Sequence, residues 1–141
     1  MREHNGKLYI EKNKHDIVEL QEIIKILRSP NGCEWDRAQD FFTMKKCLKD
    51  ETEEVLTAID RADYKNLQEE LGDVLLQVVM NSEIASEQGL FSFSDVVQTL
   101  CEKLIRRHPH VFGDEKRPST PEESLALWKK VKQIEKDRKQ I

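Results

Sequence analysis

What most limits the fold of this chain is where its helix breakers fall. The five Gly and four Pro gather in a few clusters, and the segments between them repeat their apolar residues at helical rather than alternating spacing. Ile17, Leu20, Ile24 and Leu27 make one stripe of a first helix that begins near Asp16 and must stop at Ser29-Pro30-Asn31-Gly32. A loop with Cys33, Trp35 and Asp36 follows. Thr43 can cap a second helix running to about Ala62, and Lys65 or Asn66 opens a third that ends near Gly89. A fourth, capped by Ser92 or Ser94, runs to Arg107 before Pro109. Thr120-Pro121-Glu122-Glu123 reads as a capping box with Pro at the first helical position, opening a fifth helix that carries Leu125, Trp128, Val131 and Ile134. No segment alternates as a strand does, so the expectation is an all-α antiparallel bundle of about five helices. Val74 to Met80 is apolar nearly all round, which predicts a third helix buried on most sides, in the bundle or across a homo-oligomer interface.

With 141 residues the chain is long enough for one domain and short for two. That domain is expected over residues 15–135, between a flexible segment 1–14 and a charged tail 136–141. A net charge of −4 argues against generic binding to nucleic acid or to an anionic membrane. The charged N-terminus has no apolar stretch of the secretory kind, and the Val74 to Met80 run, interrupted by Gln77, is too short to span a bilayer. Three cysteines without a C-x-x-C pair suggest neither a disulfide framework nor a zinc knuckle, and reduced thiols in a cytoplasm fit best.

Charge is unevenly placed. Asp50 to Asp73 holds nine acids against only Arg61 and Lys65. On a wheel of the second helix, Met44, Leu48, Val55, Ile59 and Ala62 form the apolar stripe. Glu51 falls inside it, about 20° from Met44, and Glu54 lies on its edge. On the third helix Leu67, Leu71, Val74, Val78 and Ala85 form the stripe, and Glu70, Asp73 and Gln77 make an adjoining line. Glu53, Asp60 and Glu69 point away. Each helix thus presents an acidic pair at i, i+3, on neighbouring turns of one face. If the two helices pack antiparallel, Glu51, Glu54, Glu70 and Asp73 converge, and a divalent cation is the economical way to hold them together. An all-oxygen set without Glu-x-x-His favours Mg²⁺ or Mn²⁺ over iron or zinc. The ordinary alternative is a solvated acidic face, against which stands the position of Glu51 within the apolar stripe.

Mg²⁺ held by carboxylates commonly carries phosphate oxygens, so cationic groups should complete such a site. Lys103 and Arg107 sit at i, i+4 on the border of the fourth helix's apolar stripe, suited to a polyphosphate or to a solvated edge. Trp128 and Lys132 are one turn apart on the fifth helix, and Trp128 can stack on a base or fill the core. No Gly-rich phosphate loop occurs.

Asp50-Glu51-Thr52-Glu53-Glu54 followed by Glu70-Leu71-Gly72-Asp73 resembles the E-E-x-x-E … E-x-x-D signature of the MazG-type nucleoside triphosphate pyrophosphohydrolases. The resemblance extends through Leu27 to Asp36, Glu70 to Val79 and Lys103 to Asp114, and covers roughly residues 16–135. It implies an all-α, metal-dependent enzyme that hydrolyses a nucleoside triphosphate to the monophosphate and pyrophosphate, as a homodimer, tetramer or larger assembly around a four-helix core. It implies Glu51, Glu54, Glu70 and Asp73 as Mg²⁺ ligands and catalytic residues, Lys103 and Arg107 as phosphate contacts and Trp128 as a nucleotide contact; Lys132 and Trp35 are expected as further substrate contacts. Asp50 departs from the family's usual first Glu, and Phe41 stands where a His often follows the Trp-Asp-x-x-Gln segment. Relatives often carry two such domains or a fused methylase domain; this chain has one copy. The rival readings are a catalytically weak nucleotide-binding or partner-binding helical homodimer and, more distantly, a carboxylate-bridged redox metal protein.

Overall fold

The computed structural model describes residues 9–10 and 12–139, so most of the expected N-terminal segment 1–14 and the end of the tail lie outside the described residues. Every regular element among the described residues is helical: α1 (Ile17–Leu27), α2 (Glu34–Arg37), α3 (Phe41–Asp60), α4 (Tyr64–Glu87), α5 (Phe93–Arg106), α6 (Pro109–Phe112) and α7 (Pro121–Lys139). None of these helices is long and apolar enough to cross a membrane. The chain divides into two compact units, Met1–Phe93 and Ser94–Ile141.

In the first unit, α1 starts where the Asp16 side chain accepts from the Glu19 amide at 2.9 Å, and it ends in a tight turn. There the Ser29 hydroxyl donates to the Ile26 carbonyl at 2.6 Å and the Cys33 amide to the Leu27 carbonyl at 2.8 Å. The turn needs glycine at position 32 for reasons of space: a Cβ there would lie 2.2 Å from the Leu27 oxygen and 2.3 Å from the Ile26 oxygen. Gly32→Ala is accordingly expected to destabilise the fold by about 2–3 kcal/mol, read as a lowered urea midpoint; an unchanged midpoint would mean that the turn yields without cost.

The loop expected around Trp35 is in fact the single-turn helix α2, and Arg28 holds it. The Arg28 side chain, 9% exposed, donates from Nη1 to the carbonyls of Asp36 (2.6 Å) and Gln39 (3.1 Å) and from Nε to the Glu87 carboxylate (2.6 Å). Gln39 adds a bond from its amide to the Trp35 carbonyl at 2.9 Å.

Helix α3 begins earlier than a Thr43 cap would place it. Asp40 is the cap and Thr43 its reciprocal partner, each side chain accepting from the other's amide at 2.9 Å. Likewise α4 opens at Tyr64, because Asp63 rather than Lys65 or Asn66 sits at the cap and accepts from the Asn66 amide. Residues 61–63 join the helices in a tight turn, with Ala62 in the left-handed region at φ 52° and the Asp63 amide bonded to the Ala58 carbonyl at 3.0 Å. A left-handed residue closing a helix is the usual way to reverse the chain so abruptly. The connection folds α3 and α4 into an antiparallel hairpin along which they pack closely, and α1 packs on α4. Ile24, Met44, Val79, Met80 and Ile84 are buried together, with Leu20, Leu27, Phe41, Leu76 and Phe93 against them. Each such side chain contributes about 1.5–3 kcal/mol of burial. This core occupies the end of the hairpin formed by the start of α3 and the close of α4.

Part of the expected buried stripe is not covered. Leu48, Ile59, Ala62, Leu71 and Val78 are all exposed. A wheel identifies the apolar face of a helix, but two packed helices bury only a strip of each, and both α3 and α4 carry more apolar residues than that strip holds.

In the second unit, α5, α6 and α7 follow one another. Thr120 caps α7, its hydroxyl accepting from the Glu123 amide at 3.1 Å. The Glu123 carboxylate reaches back one residue further than a capping box requires, to the amide and hydroxyl of Ser119 at 2.9 and 3.1 Å. Helix α7 continues to Lys139, so Lys136 to Lys139 of the expected charged tail are helical.

Candidate metal centre

Midway along the α3–α4 hairpin lie the four carboxylates that the helical wheels isolate. One oxygen each from Glu51, Glu70 and Asp73 lies within 4.8 Å of the others, close enough for a single divalent ion to touch all three. Glu54, whose side chain is exposed, hydrogen-bonds the Glu70 carboxyl. The i, i+3 pairs on each helix and the antiparallel register of the hairpin together produce this convergence.

The electrostatics follow from the crowding. Glu70 is 7% exposed and its pKa is pushed up to about 7, by the hydrogen bond to Glu54 first, then by burial and by the charges of Glu54, Asp73 and Glu51. Burial, followed by the charges of Asp73, Glu54 and Asp50, raises Glu51 as well. Two carboxyl groups can hydrogen-bond only if one keeps its proton, which is how the cluster survives without a cation. Even so, Glu51 Oε2 and Glu70 Oε2 are buried with no hydrogen-bond partner among the described residues. Orphaned buried acceptors are costly, and a divalent ion would satisfy both at once. The donors are all hard carboxylate oxygens, a set that fits Mg²⁺ or Mn²⁺. Gln77, one turn beyond Asp73, is 5% exposed and its Oε1 is likewise unpartnered among the described residues.

Trp35 stands 63% exposed on a backbone pinned by Arg28 and Gln39. A large aromatic face in the open is suited to stacking.

The second unit gathers cations around an indole. The Arg107 guanidinium carbon lies 5.4 Å and the Lys132 Nζ 4.8 Å from the centre of the Trp128 ring, within cation–π range. Trp128 is half-buried, so the alternative of a fully buried core tryptophan does not apply. Lys103 is half-buried on α5. Two residues that the sequence does not single out, Glu135 and Arg106, join this group. Glu135 accepts from Arg107 Nε at 3.1 Å and Nη2 at 3.0 Å, and its other oxygen pairs with Arg106. The signal that could have identified Glu135 is its place at i+7 from Trp128 and i+3 from Lys132, on one face of α7.

A helical hairpin that turns paired carboxylates from two successive helices toward one point, with no Glu-x-x-His on either, defines an all-α, oxygen-donor acidic site. Residues 39–112 match the MazG nucleotide pyrophosphohydrolase domain, and the chain belongs to that family. It is 50% identical over 121 residues to the nucleoside triphosphate pyrophosphohydrolase/pyrophosphatase MazG of Thermotoga maritima, covering 86% of this chain and 46% of that protein. Against the nucleoside triphosphate pyrophosphohydrolase of Escherichia coli strain K12 the identity is 44% over 126 residues, 89% of this chain and 48% of that protein. The chain therefore spans about half the length of these curated relatives. The crystal structure of a MazG-related protein from Thermotoga maritima matches with a TM-score of 0.67 at 32% identity, over 83% of this chain and 99% of that one.

Proposed function

We propose that this chain hydrolyses nucleoside triphosphates to nucleoside monophosphate and pyrophosphate, with Mg²⁺, or Mn²⁺ in its place, held by Glu51, Glu54, Glu70 and Asp73. The observation that carries this reading is the convergence of Glu51, Glu70 and Asp73 with two buried oxygens left unpartnered. A divalent ion held there supplies neutralising charge for the triphosphate and a more acidic water. Glu70, whose pKa is pushed up to about 7, releases its proton when it ligates, and Glu51 is shifted in the same direction. Lys103, Arg107 and Lys132 are assigned to the substrate's phosphates, since a guanidinium stays charged at any working pH and offers paired N–H groups to phosphate oxygens. Trp128 and Trp35 are assigned to the nucleoside. The exposed apolar faces of α3 and α4 support a homodimer or tetramer in which a second copy completes a four-helix core. Residues 15–135 would then act as one domain, in a cytoplasmic protein.

Pyrophosphate release from a panel of canonical and damaged nucleoside triphosphates, with Mg²⁺ titrated, tests the reading. Turnover that depends on Mg²⁺ and is lost in Glu54→Gln is expected. Full activity in Glu54→Gln would remove the metal assignment, and nucleotide-dependent thermal stabilisation without turnover would favour the binding homodimer.

A further inference from the structure

We propose that Glu135 is a positioning residue that aims the Arg107 guanidinium at a phosphate group of the substrate. The inference rests on the assignment of Arg107 to phosphate made above, and it concerns how that side chain is held. Glu135 Oε2 takes Arg107 by Nε and Nη2, at 3.1 and 3.0 Å, which engages one edge of the planar guanidinium. The Trp128 ring lies 5.4 Å from its central carbon and limits it on a second side. One edge and one side so constrained leave the outer edge, with one proton each on Nη1 and Nη2, as the part available to a ligand. Two parallel N–H groups on one edge match two oxygens of a phosphate.

Burial makes this arrangement more than a surface ion pair. The side chains of Arg107 and Glu135 are only 15% and 13% exposed, so the pair is poorly screened and its geometry is well defined. Arg106 occupies the other Glu135 oxygen and keeps the carboxylate from rotating away. Counting Arg106, Arg107 and Lys132 against Glu135, the group retains positive charge, so an anion is attracted although a carboxylate sits within it. Were Glu135 present only to join α5 to α7, the pair with Arg106 would serve as well as the pair with Arg107. The positioning role predicts that the two are not equivalent.

The test uses the full chain and two readouts: KM and kcat for the best nucleoside triphosphate, and the dissociation constant of inorganic pyrophosphate by calorimetry. Glu135→Gln, which loses the charge and one acceptor arm, should raise KM and weaken pyrophosphate binding by about tenfold with kcat within about twofold. Glu135→Asp, a methylene shorter, should fall between it and the parent. Arg106→Ala, which removes one positive charge but leaves Glu135 on Arg107, should raise KM and weaken pyrophosphate binding clearly less than Glu135→Gln does, even where its melting temperature drops as far. Unchanged or tighter binding in Glu135→Gln, with Arg107→Ala impaired, would overturn the positioning role, because Glu135 would then be neutral or compete with phosphate. If Arg107→Ala itself binds normally, the phosphate assignment fails and takes this inference with it. Absence of turnover alongside weakened pyrophosphate binding in Glu135→Gln would instead sink hydrolysis and leave the positioning role standing.

Discussion

Glu70→Gln is expected to lower pyrophosphate release by about two orders of magnitude or more at saturating Mg²⁺, while raising the melting temperature of the cation-free protein. Both effects come from one carboxyl group. Glu70 is the most enclosed of the four acids, touches the cluster from α4 and carries one of the two unpartnered oxygens. As an anion it is a hard ligand that no neutral amide replaces at equal strength. In the absence of a cation that same charge is a liability, since Glu54, Asp73 and Glu51 all act to keep it protonated. An amide has no charge to suppress and can still donate a hydrogen bond to Glu54. Activity and stability should therefore move in opposite directions, as they do where a site is built for function rather than for packing. Pyrophosphate assays and thermal melts of the same preparations, with and without Mg²⁺, measure the pair. Retained activity would remove Glu70 from the metal centre, and a lowered cation-free melting temperature would mean that its carboxyl contributes a structural bond worth more than the repulsion it relieves.

The second large effect is the coupling of stability to pH and cation. In the folded chain Glu70 holds its proton up to about pH 7, against an ordinary value of 4.5, and Glu51 is shifted in the same direction. Across that window the folded state binds more protons than the unfolded one, so the cation-free protein should lose stability as pH rises and level off above about pH 7. Mg²⁺ should reverse the trend. Its ligands must be deprotonated, so the rise in melting temperature caused by Mg²⁺ should be small at pH 5.5 and large at pH 7.5. Thermal melts at the two pH values, with Mg²⁺ and with a chelator, give four numbers. An equal Mg²⁺ effect at both, or a cation-free stability that increases from pH 5 to 7, would contradict the proposed centre. Glu70→Gln should flatten the slope and reduce the Mg²⁺ effect, tying the behaviour to this group.

Much of the acidic site could be read from residue order alone. Glu51 is conspicuous because a carboxylate stands within about 20° of Met44 in an otherwise apolar stripe, and Met44 is 3% exposed in the folded chain. The i, i+3 pairs were equally visible, as was the short link that folds α3 against α4. Cap positions were less so. Asp40 and Asp63 are caps whose roles depend on backbone angles at single residues, and several polar residues near each start were eligible on type alone. Leu48, Ile59, Leu71 and Val78 read as core and are exposed, because apolar character says that a face is meant to be covered without saying by what.

Arg28 and Glu135 had weaker signals still. Arg28 works by donating to two backbone carbonyls of a segment about ten residues away, and backbone carbonyls leave no trace in residue identity. Glu135 and Arg107 are 28 positions apart.

Local order in this chain follows from a repeat that covalent geometry imposes: 3.6 residues per turn determines which side chains share a face, so the five longer helices, their breaks and the inward carboxylate pairs were readable before any folding was known, whereas the single turns α2 and α6 were not. The protonated state of Glu70, the two stranded oxygens and the clamp of Glu135 on Arg107 were decided only in three dimensions. They depend on distances between residues far apart in the chain. Those distances are determined by hairpin register and side-chain rotamers, to which the energies of charged groups at 3 to 5 Å are steeply sensitive.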